Sequence, residues 1–107
     1  MAQTPEGKVK EQVKKILKEY QAYWFMPVQN GMGAPALDFH CICQGVGFCI
    51  ETKAPGKKPT ARQANTILHI EAAGGKTFVI DGEAGYRQLR EWLTMVHVAC
   101  GEQDGKV

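Results

Sequence analysis

The chain has 107 residues, 44% of them hydrophobic and 22% charged. That is the length of one domain, able to hide roughly two-thirds of its unfolded surface, so folding requires neither a metal nor a disulfide staple. The composition excludes disordered, collagen-like and coiled-coil chains, and no run approaches the ~20 apolar residues of a membrane span. The formal net charge is +2, unevenly spread: residues 1–62 carry nine Lys/Arg against five Asp/Glu, and residues 63–107 carry four against six. A basic first half fits a polyanionic partner, although a solvated lysine-rich helix face gives the same pattern. The opening residues lack the basic-then-apolar pattern of a secretory leader, which predicts a cytoplasmic protein. Cys41, Cys43, Cys49 and Cys100 include no Cys-x-x-Cys pair, so reduced thiols serving as small buried residues are expected before a zinc knuckle or a disulfide framework.

The first predicted element is a helix capped by Thr4, with Pro5 at its first position and an end near Tyr23. Val9, Val13, Ile16, Leu17 and Tyr20 form its apolar stripe, and Lys10, Lys14, Lys15 and Lys18 fall on other faces. Trp24–Val28 reads as a short strand, restricted by Pro27 to an edge or an irregular one. Gln29–Pro35 is a loop by composition. Residues 36–43 and 48–53 are two strands of a hairpin. A basic loop, 54–59, leads to a second helix capped by Thr60, running to about Ala73 and stopped by Gly74-Gly75. Thr77–Ile80 is a buried strand. Asp81-Gly82 then turns the chain into a last helix, with Tyr86, Leu89, Trp92, Leu93 and Val96 at helical spacing. A frayed tail is expected from Gly101 to Val107. The order α-β-β-β-α-β-α, in one domain over 1–107, predicts an α/β protein with a mixed sheet flanked by helices.

The hairpin carries the chemistry. Symmetric pairing around a loop at Gly45-Val46, or at Gln44–Val46 with Gly47, sets Cys43 opposite Phe48, His40 opposite Glu51 and Asp38 opposite Lys53. Strand alternation then places Asp38, His40, Glu51 and Lys53 on one face and Leu37, Phe39, Cys41, Cys43, Phe48 and Ile50 on the other. Two carboxylates on neighbouring strands suit a hard divalent cation. Such an ion polarises a phosphoryl oxygen and activates a bound water, and a lysine beside it stabilises the developing charge. A surface hairpin with a cross-strand ion pair uses the same residues.

Asp38, Glu51-Thr52-Lys53, the Ala54-Pro55-Gly56 loop and Thr60-x-x-Gln63 resemble the PD-(D/E)xK nuclease superfamily, and within it the virus-type replication-repair nuclease (VRR-NUC) family. The resemblance runs from Pro5–Lys10 through Gly74-Gly75-Lys76 and Ile80. It implies a restriction-endonuclease-like fold and a Mg²⁺- or Mn²⁺-dependent DNA endonuclease. Small members, often from bacteriophages, tend to be homodimers acting on branched DNA in replication, repair or recombination, in a bacterial or phage-infected cytoplasm. It implies metal ligation by Asp38, Glu51, the Thr52 backbone carbonyl and a first-helix glutamate, with Lys53 and Gln63 catalytic. One departure stands out: Leu37, not proline, precedes Asp38, and the proline is Pro35.

Two glutamates compete for the first-helix position. Measured from Val9 at ~100° per residue, Glu6 lies near +60°, beside Val13 and Leu17, and Glu11 near 200°. Glu6 is therefore expected at the metal, although an N-terminal glutamate also favours the helix dipole. Gln63, in the first turn of the second helix, is placed to reach Lys53 or a phosphate. Lys57, Lys58 and Arg62 flank the site as DNA phosphate contacts. His40 steadies a ligand or is merely a strand residue. Tyr86, Trp92, Met95 and Val96 supply a dimer face or pack on their own core. Two other functions use the same residues: a catalytically inert DNA-binding or assembly module, and a zinc protein built on His40, Cys41, Cys43 and Cys49. The second is weakened because His40 and Cys41 point to opposite faces of one strand.

Overall fold

The computed structural model describes residues 3–28 and 35–104, with side chains as far as residue 100. The order is α1 (Pro5–Glu19), β1 (Tyr23–Phe25), β2 (Phe39–Cys43), β3 (Val46–Thr52), α2 (Ala61–Ala72), β4 (Lys76–Ile80) and α3 (Glu83–Asp104), the mixed α+β arrangement predicted. One four-stranded sheet has the order β1-β2-β3-β4. The first two pairings are antiparallel, and β3 pairs with β4 in parallel across the α2 crossover.

The caps follow the sequence. Thr4 accepts from the Gly7 N–H at 3.0 Å. Thr60 and Gln63 form a complete capping box at the start of α2. Gly74, at φ 89°, ends the crossover in a conformation that favours glycine. The first helix stops at Glu19, earlier than the expected Tyr23. Gln21 takes a left-handed φ of 56°, and the Ala22 N–H returns to the Leu17 carbonyl at 2.9 Å. This closure ends the helix and frees Tyr23 to start β1. The strand also ends early, at Phe25, so Met26, Pro27 and Val28 lie outside it. Of the expected loop Gln29–Pro35, residues 29–34 lie outside the described residues, and Pro35 lies in neither helix nor strand. The last helix continues through Asp104, past the frayed start expected at Gly101, and 105–107 lie outside the described residues.

The hairpin register differs from the expected one by two residues. Gln44 and Gly45 both take positive φ, 51° and 80°, and form the two-residue turn whose twist matches a right-handed β-ribbon. Cys43 therefore pairs with Val46, His40 with Cys49 and Phe39 with Ile50. Asp38 lies in the bend just outside this ladder, and extending the register past Phe39–Ile50 points it at Glu51, not Lys53. A shift of two preserves side-chain alternation, so the predicted faces stand.

The core lies on one face. Phe39, Cys41, Cys43, Phe48, Ile50, Phe78 and Ile80 of the sheet meet Val9, Val13, Ile16 and Leu17 of α1 and Leu89 and Leu93 of α3. Tyr86 and Trp92 pack against this cluster and Val96 is buried, which leaves Met95 exposed among the four residues considered for a dimer face. The second helix contributes nothing to the cluster. Its Ile70 shares a cleft on the other face with His40, Ile42 and Cys49. Cys41 and Cys43 thus sit on the opposite face from His40 and Cys49. Among the described residues, no helix is long and apolar enough to cross a membrane.

Candidate active site

Asp38 sits in the bend just before β2, and Glu51 is the penultimate residue of β3. Thr52 locks the two strands together here. Its N–H and its hydroxyl both donate to Asp38 Oδ2, at 3.0 and 2.6 Å. Thr52 is wholly buried and Glu51 is 2% exposed. Burial pushes the Glu51 carboxyl up to about 7, and the negative charge of Asp38 adds to the rise. Lys53 and a hydrogen bond from the Asp38 backbone oppose it. Among the described residues, no cation lies within ion-pairing distance of Glu51.

Lys53 follows directly as β3 ends, and its N–H extends the parallel ladder to the Ile80 carbonyl at 2.9 Å. Its ammonium donates to Gln63 Oε1 at 3.2 Å. The same oxygen accepts the Thr60 N–H at 2.9 Å, so the capping box that starts α2 also aims Gln63 at Lys53. Lys57, Lys58 and Arg62 are exposed on the loop and the first turn of α2. The loop is tied to the end of β4 by Asp81, whose Oδ2 accepts the Gly56 N–H at 3.1 Å.

The first helix brings Glu6 to this end of the sheet, where its charge contributes to the rise of the Glu51 carboxyl. Glu11 instead pairs with Lys14 at 2.9 Å on the exposed side. Glu6 is held by Lys10, whose Nζ lies 2.6 Å from Glu6 Oε2 and 3.7 Å from Asp38 Oδ2. Burial pulls the Lys10 ammonium down, but the Glu6 hydrogen bond and the charges of Asp38, Glu6 and Glu51 outweigh it and leave it raised. The expectation that Lys10 faces away from the site is therefore corrected: its long stem carries the charge round to the carboxylates.

The residues fit a hard divalent ion. The donors are oxygens, and Glu51 is a buried carboxylate that makes no ion pair among the described residues. Asp38 directs one oxygen to Thr52 and keeps the other. Among the described residues, no group of three or more His, Cys, Asp or Glu side chains is gathered closely enough to hold an ion; Asp38 and Glu51 are neighbours whose charges interact, and one oxygen of Glu6 is bonded to Lys10. His40 lies two residues along the same face. Its ring is 5.3 Å from that of Phe25, and its Nε2 is buried without a hydrogen-bond partner among the described residues.

Sequence reasoning missed three contributors: the Thr52 hydroxyl, Asp81 and Lys10. Only Lys10 left a signal, the Glu6–Lys10 spacing of four on a helix.

No family model matches the sequence, and no curated protein matches it. Among solved structures, one described as "VRR_NUC domain" superposes with a TM-score of 0.74 at 23% sequence identity, over 83% of this chain and 97% of that one. The chain thus carries the fold of the VRR-NUC domain, the fold its hairpin residues had pointed to.

Proposed function

We propose that this protein is a Mg²⁺- or Mn²⁺-dependent DNA endonuclease of the VRR-NUC family. In this reading it is a homodimer that selects branched DNA during replication, repair or recombination in a bacterial or phage-infected cytoplasm. The observation that carries the reading is Asp38, bonded twice by Thr52 and close enough to Glu51 to raise its carboxyl, at the end of the hairpin, with Lys53 immediately beyond and bonded to Gln63. The fold-level likeness supports it.

Asp38 and Glu51 would hold the ion, with the Thr52 carbonyl and the Glu6 oxygen that is not bonded to Lys10 as further donors. When bound, the ion supplies a Lewis acid that lowers the pKa of a water and offsets phosphate charge. The protein's own groups do the rest. Thr52 fixes one oxygen of Asp38 so that the other faces the site. Lys53 stabilises charge on the phosphate or orients the attacking water, and Gln63 keeps its ammonium in place. Lys57, Lys58 and Arg62 contact flanking phosphates, which positions DNA without reading sequence.

The test is incubation with linear duplex, single-stranded, flap and four-way-junction DNA, with and without Mn²⁺. Cleavage strongest on branched substrates and absent without metal supports the reading. Binding without cleavage of any substrate would make the protein an inert DNA-binding module.

A further inference from the structure

Lys10 brings a positive charge into the acidic end of the sheet, 2.6 Å from Glu6 and 3.7 Å from Asp38. Its side chain is 25% exposed, and the neighbouring Val9 is buried in the core, so the docking of α1 fixes where the lysine stem departs. We infer that Lys10 is a tethered counter-ion of the metal-free site, whose ammonium offsets part of the charge that the divalent ion would offset and must leave Asp38 Oδ2 when that ion binds. The inference rests on the metal-site reading above.

The physical ground is competition for the same negative potential. Asp38 Oδ2 accepts two donors from Thr52 and faces the Lys10 ammonium as well. An ion bound by Asp38 places a double positive charge against that ammonium, in a half-buried setting where solvent screens little. A lysine suits the role. It is a compact charge on a flexible four-carbon stem, free to withdraw by rotation, whereas an arginine would grip the carboxylate with a planar fork. Glu6, one helical turn away, keeps a partner for the ammonium after it leaves Asp38. The apparent metal affinity is then the intrinsic affinity reduced by the displacement of Lys10, as for any occupied site.

The experiment uses the full chain without DNA: calorimetric Mn²⁺ titration, with thermal melts in chelator and in saturating Mn²⁺. For Lys10→Met the Kd for Mn²⁺ falls about tenfold, within the usual range of coupling between two sites. Its metal-free Tm falls below that of the unmodified protein, and the gap narrows once Mn²⁺ is bound. Unchanged or weaker Mn²⁺ binding by folded Lys10→Met overturns the inference. A second measurement does not depend on that variant folding. In the unmodified protein, the Lys10 ε-methylene resonance, assigned by comparison with Lys10→Arg, moves on saturation with Mg²⁺; a resonance that stays in place overturns the inference. Glu51→Gln separates the two failures. If it leaves Mn²⁺ affinity intact, the metal site itself is wrong. If it abolishes Mn²⁺ binding while Lys10→Met binds like the unmodified protein, only the role of Lys10 falls.

Discussion

Thr52 donates twice to a single oxygen of Asp38, once from its backbone and once from its hydroxyl, and so joins the strand bearing Glu51 to the bend bearing Asp38. Hydrogen bonds to a charged group contribute about 1.5–3 kcal/mol each. Thr52→Val keeps the shape and the backbone bond but removes the hydroxyl. It lowers the stability of the protein by that order and reduces cleavage, because Asp38 loses part of its alignment. Thermal denaturation beside a cleavage assay checks this; an unchanged Tm would show that the hydroxyl bond carries no weight.

The raised Glu51 carboxyl makes the metal-free protein sensitive to pH. The folded protein holds this proton up to about pH 7, whereas an unfolded glutamate releases it near pH 4.3. Between those values the folded state binds more protons, so stability is greatest at the acidic end and falls as pH rises. The loss reaches at most ~4 kcal/mol, lessened by whatever relaxation admits water. Glu51→Gln flattens this fall and stabilises the metal-free protein at pH 8. Mn²⁺ affinity of the unmodified protein runs the other way and weakens as pH drops through 7, since the ion requires the ionised carboxylate. Melting curves in chelator from pH 5 to 8 test the first half; a slope as steep in Glu51→Gln as in the unmodified protein would assign it elsewhere.

Lys53→Ala lowers turnover far more than metal affinity, because in the proposed role the lysine acts on water or phosphate and is not a ligand. Gln63→Ala has a milder effect in the same direction and also weakens the start of α2 by ~1 kcal/mol through the lost capping box. Single-turnover kinetics at saturating Mn²⁺, beside calorimetric titration, separate chemistry from binding. Weakened metal binding with unchanged chemistry in Lys53→Ala would contradict the assignment.

Glu6→Gln depresses cleavage by an order of magnitude or more in kcat/KM, equivalent to ~1.4 kcal/mol of transition-state stabilisation. Glu11→Gln changes little, since Glu11 pairs with Lys14 on the exposed side. Comparing the two variants under single-turnover conditions checks the helical phase; an essential Glu11 and a dispensable Glu6 would reverse it.

The element order and the two faces of the hairpin were legible in the sequence for a physical reason. Alternation has period two, so a slip of two residues leaves every side chain on its face. The register was not legible, because it depends on Gln44 adopting a left-handed backbone that a side-chain-bearing residue rarely takes. The end of α1 escaped for the same reason at Gln21. The Glu6 position followed from helical phase. The same arithmetic puts Lys10 only ~40° from Glu6 on the wheel, but a lysine among lysines reads as solvated charge until Asp38 is seen 3.7 Å away. The reach of Gln63 to Lys53 was legible too, from its place in the first turn of α2, and the 3.2 Å hydrogen bond realises it.

The central claim is that Asp38 and Glu51 together hold the ion that cuts DNA. The most direct test is single-turnover cleavage of a four-way junction by the unmodified protein, Asp38→Asn and Glu51→Gln, in Mn²⁺ and in chelator, with circular dichroism confirming that each variant is folded. The expected result is cleavage by the unmodified protein in Mn²⁺ alone and none by either variant. A folded Asp38→Asn or Glu51→Gln that cuts at near-normal rates would contradict it.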